Sequence, residues 1–129
     1  MTIDILEELE DAVEIFNTVL DMENMAEEVL VLMTLDAKNK VTGLFQVSHG
    51  SLNSSIIHPS EIYKRALLQN ASAIVIGHNH PSATLTPSQK NLNTTRHLHE
   101  AGKLLGIDLI DHIIIGDGRL ISLKEKIII

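Results

Sequence analysis

Residues 71–82 read Ala71-Ser72-Ala73-Ile74-Val75-Ile76-Gly77-His78-Asn79-His80-Pro81-Ser82, and they set both the fold class and the place where chemistry can occur. The run 71–77 is short and continuously apolar. That pattern predicts a strand covered on both faces, as in sheets flanked by helices on each side. Two histidines follow at its carboxyl end, the edge at which α/β sheets bind ligands. In extended chain, residues two apart point to the same side, so His78 and His80 can present imidazoles to one point.

Downstream, Thr86-Pro87-Ser88-Gln89 predicts a helix start, with Thr as cap, Pro at the first helical position and Gln where a capping box needs it. Ser88 then lies in the first turn, and Asn91 follows three residues later on the same helical face. The loop 81–86 can fold that face over the histidine pair. Two imidazoles, a hydroxyl and an amide oxygen would then surround one cavity. Catalytic zinc takes three protein ligands and leaves one position open, and imidazole is a good zinc ligand. The plain alternative is a structural loop carrying two solvated histidines.

The rest of the chain supplies the other elements. Leu6, Leu9, Val13, Phe16 and Leu20 alternate in steps of three and four, which predicts an amphipathic helix over 4–21. Its apolar stripe serves either core packing or a homodimer seam. Residues 28–36 and 41–48 have strand composition and flank the turn Asp36-Ala37-Lys38-Asn39. Pro59 opens a helix running to about residue 70, and the second capped helix stops near Gly106. Gly102 inside it is a weak spot or a close-packing point. Strands over 107–115 and 119–123 complete the order α-β-β-α-β-α-β-β. A hairpin together with crossover connections predicts a single α/β domain with a mixed sheet.

Charge divides the chain into an acidic helical segment, 1–26, and a body, 27–129. Ten of the seventeen acids lie in residues 1–28, which hold no Lys or Arg. The other 101 residues carry ten basic groups against seven acids, and all seven histidines. The net charge of −7, the absence of a basic helix and the three aromatics Phe16, Phe45 and Tyr63 make nucleic acid an unlikely partner. No apolar run approaches the ~20 residues of a membrane span, and the acidic N-terminus is unlike a basic signal or transit peptide. A soluble cytoplasmic domain is expected. The absence of cysteine excludes disulfides, thiolate metal sites and a zinc deaminase, which needs paired cysteine ligands.

The spacing H-x-H, seven residues, Ser, two residues, then position 91 resembles the JAMM (MPN-domain) zinc-metallopeptidase motif. Gly50-Ser51-Leu52-Asn53, Ile57-His58-Pro59, the string from His78 to Ser82, and residues 109–117 resemble its RadC branch in particular. The resemblance covers about residue 27 to the end. It implies the mixed-sheet JAMM fold and a zinc-dependent amide or isopeptide hydrolase acting on a peptide or protein. It also implies a helix-hairpin-helix region ahead of this domain in full-length RadC proteins, where the acidic helix stands here.

By that resemblance His78 and His80 are the imidazole ligands of Zn²⁺, and Ser88 holds the substrate carbonyl. Two positions depart from the pattern. The third ligand, an Asp in the family, falls on Asn91, and the general-base Glu falls on Gln46 or Phe45. Ala83 replaces a Gly after the histidine string. A neutral amide binds zinc more weakly than a carboxylate, and loss of general acid–base help is worth ~10²–10⁴ in rate. A non-catalytic JAMM-fold module binding a peptide tail or protein is therefore the second expectation. A DNA repair-associated accessory domain is the third, suggested only by the family's name. Glu61 is a candidate substitute base, His58 a candidate neighbour of the site, and His112 a buried histidine bonded to backbone, Asp111 or another neighbour. His97 and His99 face different directions on their helix.

Overall fold

A strand buried on both faces must lie inside a sheet, and the stretch around His78 does. In the computed structural model, which describes residues 5–7, 9–22, 28–49, 58–79, 89–116 and 119–124, the elements are α1 (Leu9–Leu20), β1 (Val29–Leu35), β2 (Val41–His49), α2 (Pro59–Leu68), β3 (Ala73–Asn79), α3 (Gln89–Leu105), β4 (Asp108–Gly116) and β5 (Arg119–Ser122). The order is the one the sequence predicts. The five strands form one mixed sheet in the order β2-β1-β3-β4-β5, with β3 at its centre. β1 pairs antiparallel with both β2 and β3, β3 pairs parallel with β4, and β5 returns antiparallel to β4. A parallel pair needs a crossover, and α3 supplies it.

Alternation along the strands sorts the core into two layers. Val29, Val31, Met33 and Leu35 of β1 join Val75 of β3 and Ile113 and Ile115 of β4 beneath Ala12, Ile15 and Phe16 of α1. Leu30, Leu32, Ile74, Ile76 and Leu109 face the other way, against Ile62, Tyr63 and Ala66 of α2 and Leu98 of α3. Each large side chain so buried stabilises the fold by roughly 1.5–3 kcal/mol relative to exposure.

Two elements differ from expectation. β3 runs two residues further, through His78 and Asn79, because both pair with β4 at Ile114 and Ile115. His78 is thus a buried strand residue and not the start of a loop. The first helix is shorter than 4–21, because Ile5 bridges to Lys40 and the Leu6 N–H donates to the Asn39 carbonyl at 2.9 Å, holding this stretch against the hairpin turn. Its buried face centres on Ala12, Ile15 and Phe16, with Val13 and Leu20 at the margin. The apolar stripe offered as a possible dimer seam is thereby packed on the chain's own sheet.

The hairpin turn forms as the sequence predicts. Asp36 Oδ1 accepts from the N–H groups of Lys38 and Lys40 at 2.8 and 2.9 Å, and these two bonds hold its carboxyl below the ordinary carboxylate range. Asn39 takes the left-handed conformation there, with φ 62°. α3 ends at Gly106, φ 73°, and Gly102 proves to be a close-packing point, since a Cβ there would lie 2.6 Å from the Tyr63 hydroxyl. The predicted cap at Thr86 lies outside the described residues. Among the described residues no helix is long and apolar enough to cross a membrane.

Candidate active site

Gly77, His78 and Asn79 are consecutive and buried, and each has a different task. Gly77 faces α1, where an added Cβ would come within 2.7 Å of the Phe16 ring. The helix therefore lies directly behind the site. His78 faces the opposite layer, in register with Leu30 of β1 and Ile114 of β4, and is 2% exposed. Asn79 reaches back across the sheet, and its side-chain Oδ1 accepts the Val29 N–H at 2.6 Å. That bond lies one residue beyond the last backbone pair of β1 with β3.

Glu28 is the residue before Val29. Its Oε2 stands 3.9 Å from His78 Nε2, too far for a hydrogen bond and close enough for charge to be felt. The His78 side chain is 3% exposed and that of Glu28 22%, so a solvent-touched carboxylate adjoins a buried imidazole. On the other side of His78 lies His112, with ring centroids 5.8 Å apart and planes tilted by 40°. His112 Nδ1 shares a 2.7 Å hydrogen bond with Thr95 Oγ1, both residues being buried, so α3 is fastened to β4 beside the site.

Asp111 is not the partner of the His112 ring. Its carboxylate accepts the His112 backbone N–H at 2.7 Å, the Lys124 N–H at 3.1 Å and the Ser122 hydroxyl at 2.5 Å. It clasps the last strand and the turn after it to β4. Its adjacency to the site histidine is a matter of sequence, not of shared chemistry.

Of the residues singled out from sequence, His78 sits in this cluster. His80 and Ser88 lie outside the described residues. Asn91 is in the first turn of α3, one turn before Thr95, and its side chain is likewise outside the description. Gln46 is exposed on β2 and pairs with Val31, whose side chain faces the α1 layer, so it projects from the sheet face opposite His78. Phe45 pairs with Leu32 and packs as an apolar residue. Gln46 is thus turned away from His78, whereas Glu28 stands beside it. Glu61 is exposed and ion-paired with Arg65 at 3.4 Å, and His58 is exposed at the start of α2. Among the described residues no three His, Asp or Glu are grouped closely enough to hold a metal ion.

Glu28 is inconspicuous in the sequence, as the first residue of the predicted strand 28–36 and one of ten acids in residues 1–28. The signal that finds it is register. Once β1 lies antiparallel to β3, the residue that enters β1 must stand beside the residues that leave β3.

A mixed-sheet α/β domain with a polar cluster at the carboxyl ends of its two parallel strands defines the class. The RadC-like JAB domain family matches residues 6–128, and the chain belongs to that family. The match takes in α1 as well as the body. Similar curated relatives include a UPF0758 protein of Clostridium perfringens, 49% identical over 114 residues, which covers 88% of this chain and 50% of that one. UPF0758 proteins of Clostridium botulinum and Clostridium beijerinckii are 50% and 46% identical over 106 residues, each alignment covering 82% of this chain and 46% of the relative. The chain spans about half the length of these relatives.

Proposed function

We propose that this domain is a zinc-dependent amide hydrolase of the JAB type, with Glu28 as its proton-transfer group. The observation that carries the reading is the Glu28 carboxylate 3.9 Å from the buried His78 imidazole. The donor chemistry suits zinc: a strand-held imidazole is a good ligand, and a carboxylate beside it, rather than on it, is placed for acid–base work. His78, His80 and Asn91 would hold the ion. Zinc bound there supplies Lewis acidity, polarising an amide carbonyl and making water easier to ionise.

The chain's own residues do the remainder. Glu28 accepts the proton of the attacking water as the new carbon–oxygen bond forms, then returns it to the leaving nitrogen as the carbon–nitrogen bond breaks. The Ser88 hydroxyl donates to the carbonyl oxygen as negative charge develops there. His112 and Thr95 close the side of the site facing α3.

Asn91 favours a second reading. A neutral amide where a carboxylate would serve leaves the site more positive and weakens zinc binding, and a cleft without its ion binds a peptide without cutting it. Elemental mass spectrometry on protein dialysed against micromolar zinc separates the two. Near one zinc per chain, absent from the His78→Ala/His80→Ala double variant and bound more tightly by Asn91→Asp, supports the hydrolase. Glu28→Gln should then keep its zinc and lose peptide hydrolysis by ~10²–10⁴. No zinc in either the native chain or Asn91→Asp overturns the hydrolase in favour of the binding module.

A further inference from the structure

Asn79 is 1% exposed, and its side-chain oxygen takes the Val29 N–H at 2.6 Å, beyond the point where backbone pairing between β1 and β3 stops at Leu30 and His78. Val29 pairs with His49 of β2 on one edge, and on the β3 edge its N–H is held by the Asn79 oxygen, so losing that oxygen loosens the strand end on the β3 side. Glu28 is the residue that would move. It is joined to Val29 by one peptide unit, lies outside β1 proper and keeps partial exposure to water.

We infer that Asn79 is a positioning residue, whose amide oxygen fixes the start of β1 and thereby holds the Glu28 carboxylate beside His78. This rests on the hydrolase reading for its consequence but not for its geometry. The string His78-Asn79-His80 then carries two kinds of information in three residues. His78 faces the α2–α3 layer by strand alternation, and Asn79, on the other side of the strand, sets the neighbouring strand's acid. Aspartate can accept the same bond at the same place. Alanine cannot, and neither can leucine, which fills nearly the same volume without an oxygen.

The test is nuclear magnetic resonance on the full chain without metal, so it does not depend on zinc or substrate. The native protein should show slow hydrogen exchange at the Val29 amide and a cross-peak between the Glu28 side-chain CH₂ protons and the His78 ring proton. Asn79→Ala should lose both while the other strand amides stay protected, and Asn79→Asp should restore both. Where Asn79→Ala does not fold, Asn79→Leu is judged by the same criterion. Fast Val29 exchange in the native chain, or a cross-peak that survives in a folded variant lacking the oxygen, overturns the assignment. In a zinc-loaded chain that hydrolyses peptide, Asn79→Ala should lower kcat with KM unchanged, and Asn79→Asp should recover it. Failure of the hydrolase reading shows separately, as native protein that keeps the cross-peak but takes up no zinc.

Discussion

The two faces of the sheet are made from alternate residues of the same strands, yet their buried polar groups are used differently. Under α1 the layer is apolar around Phe16, which lies close to Gly77, and its buried polar groups, Asp111 with Ser122 and Asn79, are hydrogen-bonded within the sheet. Under α2 and α3 it is apolar only over the first part of β3, then turns polar at His78, His112 and Thr95. The candidate site thus lies on one face at one end. The same three-residue step from Gly77 to Asn79 serves both layers, so a packing change on one side is felt within one residue of the other.

That contrast can be broken from either face. The largest effect is expected from Phe16→Ala, which empties the α1 layer behind the site and should cost about 3–5 kcal/mol in urea unfolding. Gly77→Ala comes next, at about 1–3 kcal/mol, because its methyl would meet a ring that is fully buried and has nowhere to turn. The two sites touch, so a double-mutant cycle of Gly77→Ala with Phe16→Leu should be less than additive. Strict additivity would mean that the ring and the glycine do not share the contact.

The smallest effect at neutral pH belongs to the other face. The Tyr63 hydroxyl donates to the Leu98 carbonyl at 2.6 Å, tying α2 to α3, and Tyr63→Phe should cost about 1 kcal/mol. Burial, with the negative charge of Asp108 adding to it, pushes the Tyr63 phenol up to about 12 from 10. The raised value means that the folded state keeps its proton longer than the unfolded chain. The stability this contributes is therefore complete below pH 10 and lost as pH rises through about 12. Tyr63→Phe should flatten the alkaline limb of a stability–pH curve. An unchanged limb would place the alkaline sensitivity elsewhere.

Much of this architecture is legible in the sequence because it rests on local patterns. The alternation around 29–35, the turn at Asp36, the apolar run before His78 and the glycine after Leu105 each announce themselves within a few residues. The site is legible only where it is local too. His78 follows from a spacing of two, but Glu28 follows from the pairing of strands fifty residues apart in the chain, which no local window contains. The bulge between Leu30 and Val31 alters the register of β2 and leaves Gln46 on the face away from His78, which no count along the chain reveals. The end of β3 is hidden for a related reason. His78 and Asn79 are polar, and only the partners Ile114 and Ile115 reveal that the strand continues through them.

The parallel pairing of β3 with β4 also has a consequence in time. His78, Thr95 and His112 come from three separate elements and Glu28 from the residue just before a fourth, and they meet only when a strand at 73–79 finds its neighbour at 108–116 across the whole of α3. Closing so long a loop is a late and slow event compared with zipping the β1–β2 hairpin. A chain still emerging from synthesis can thus hold its hairpin and its first helices with no assembled centre, and whatever this site does begins only when folding is nearly done.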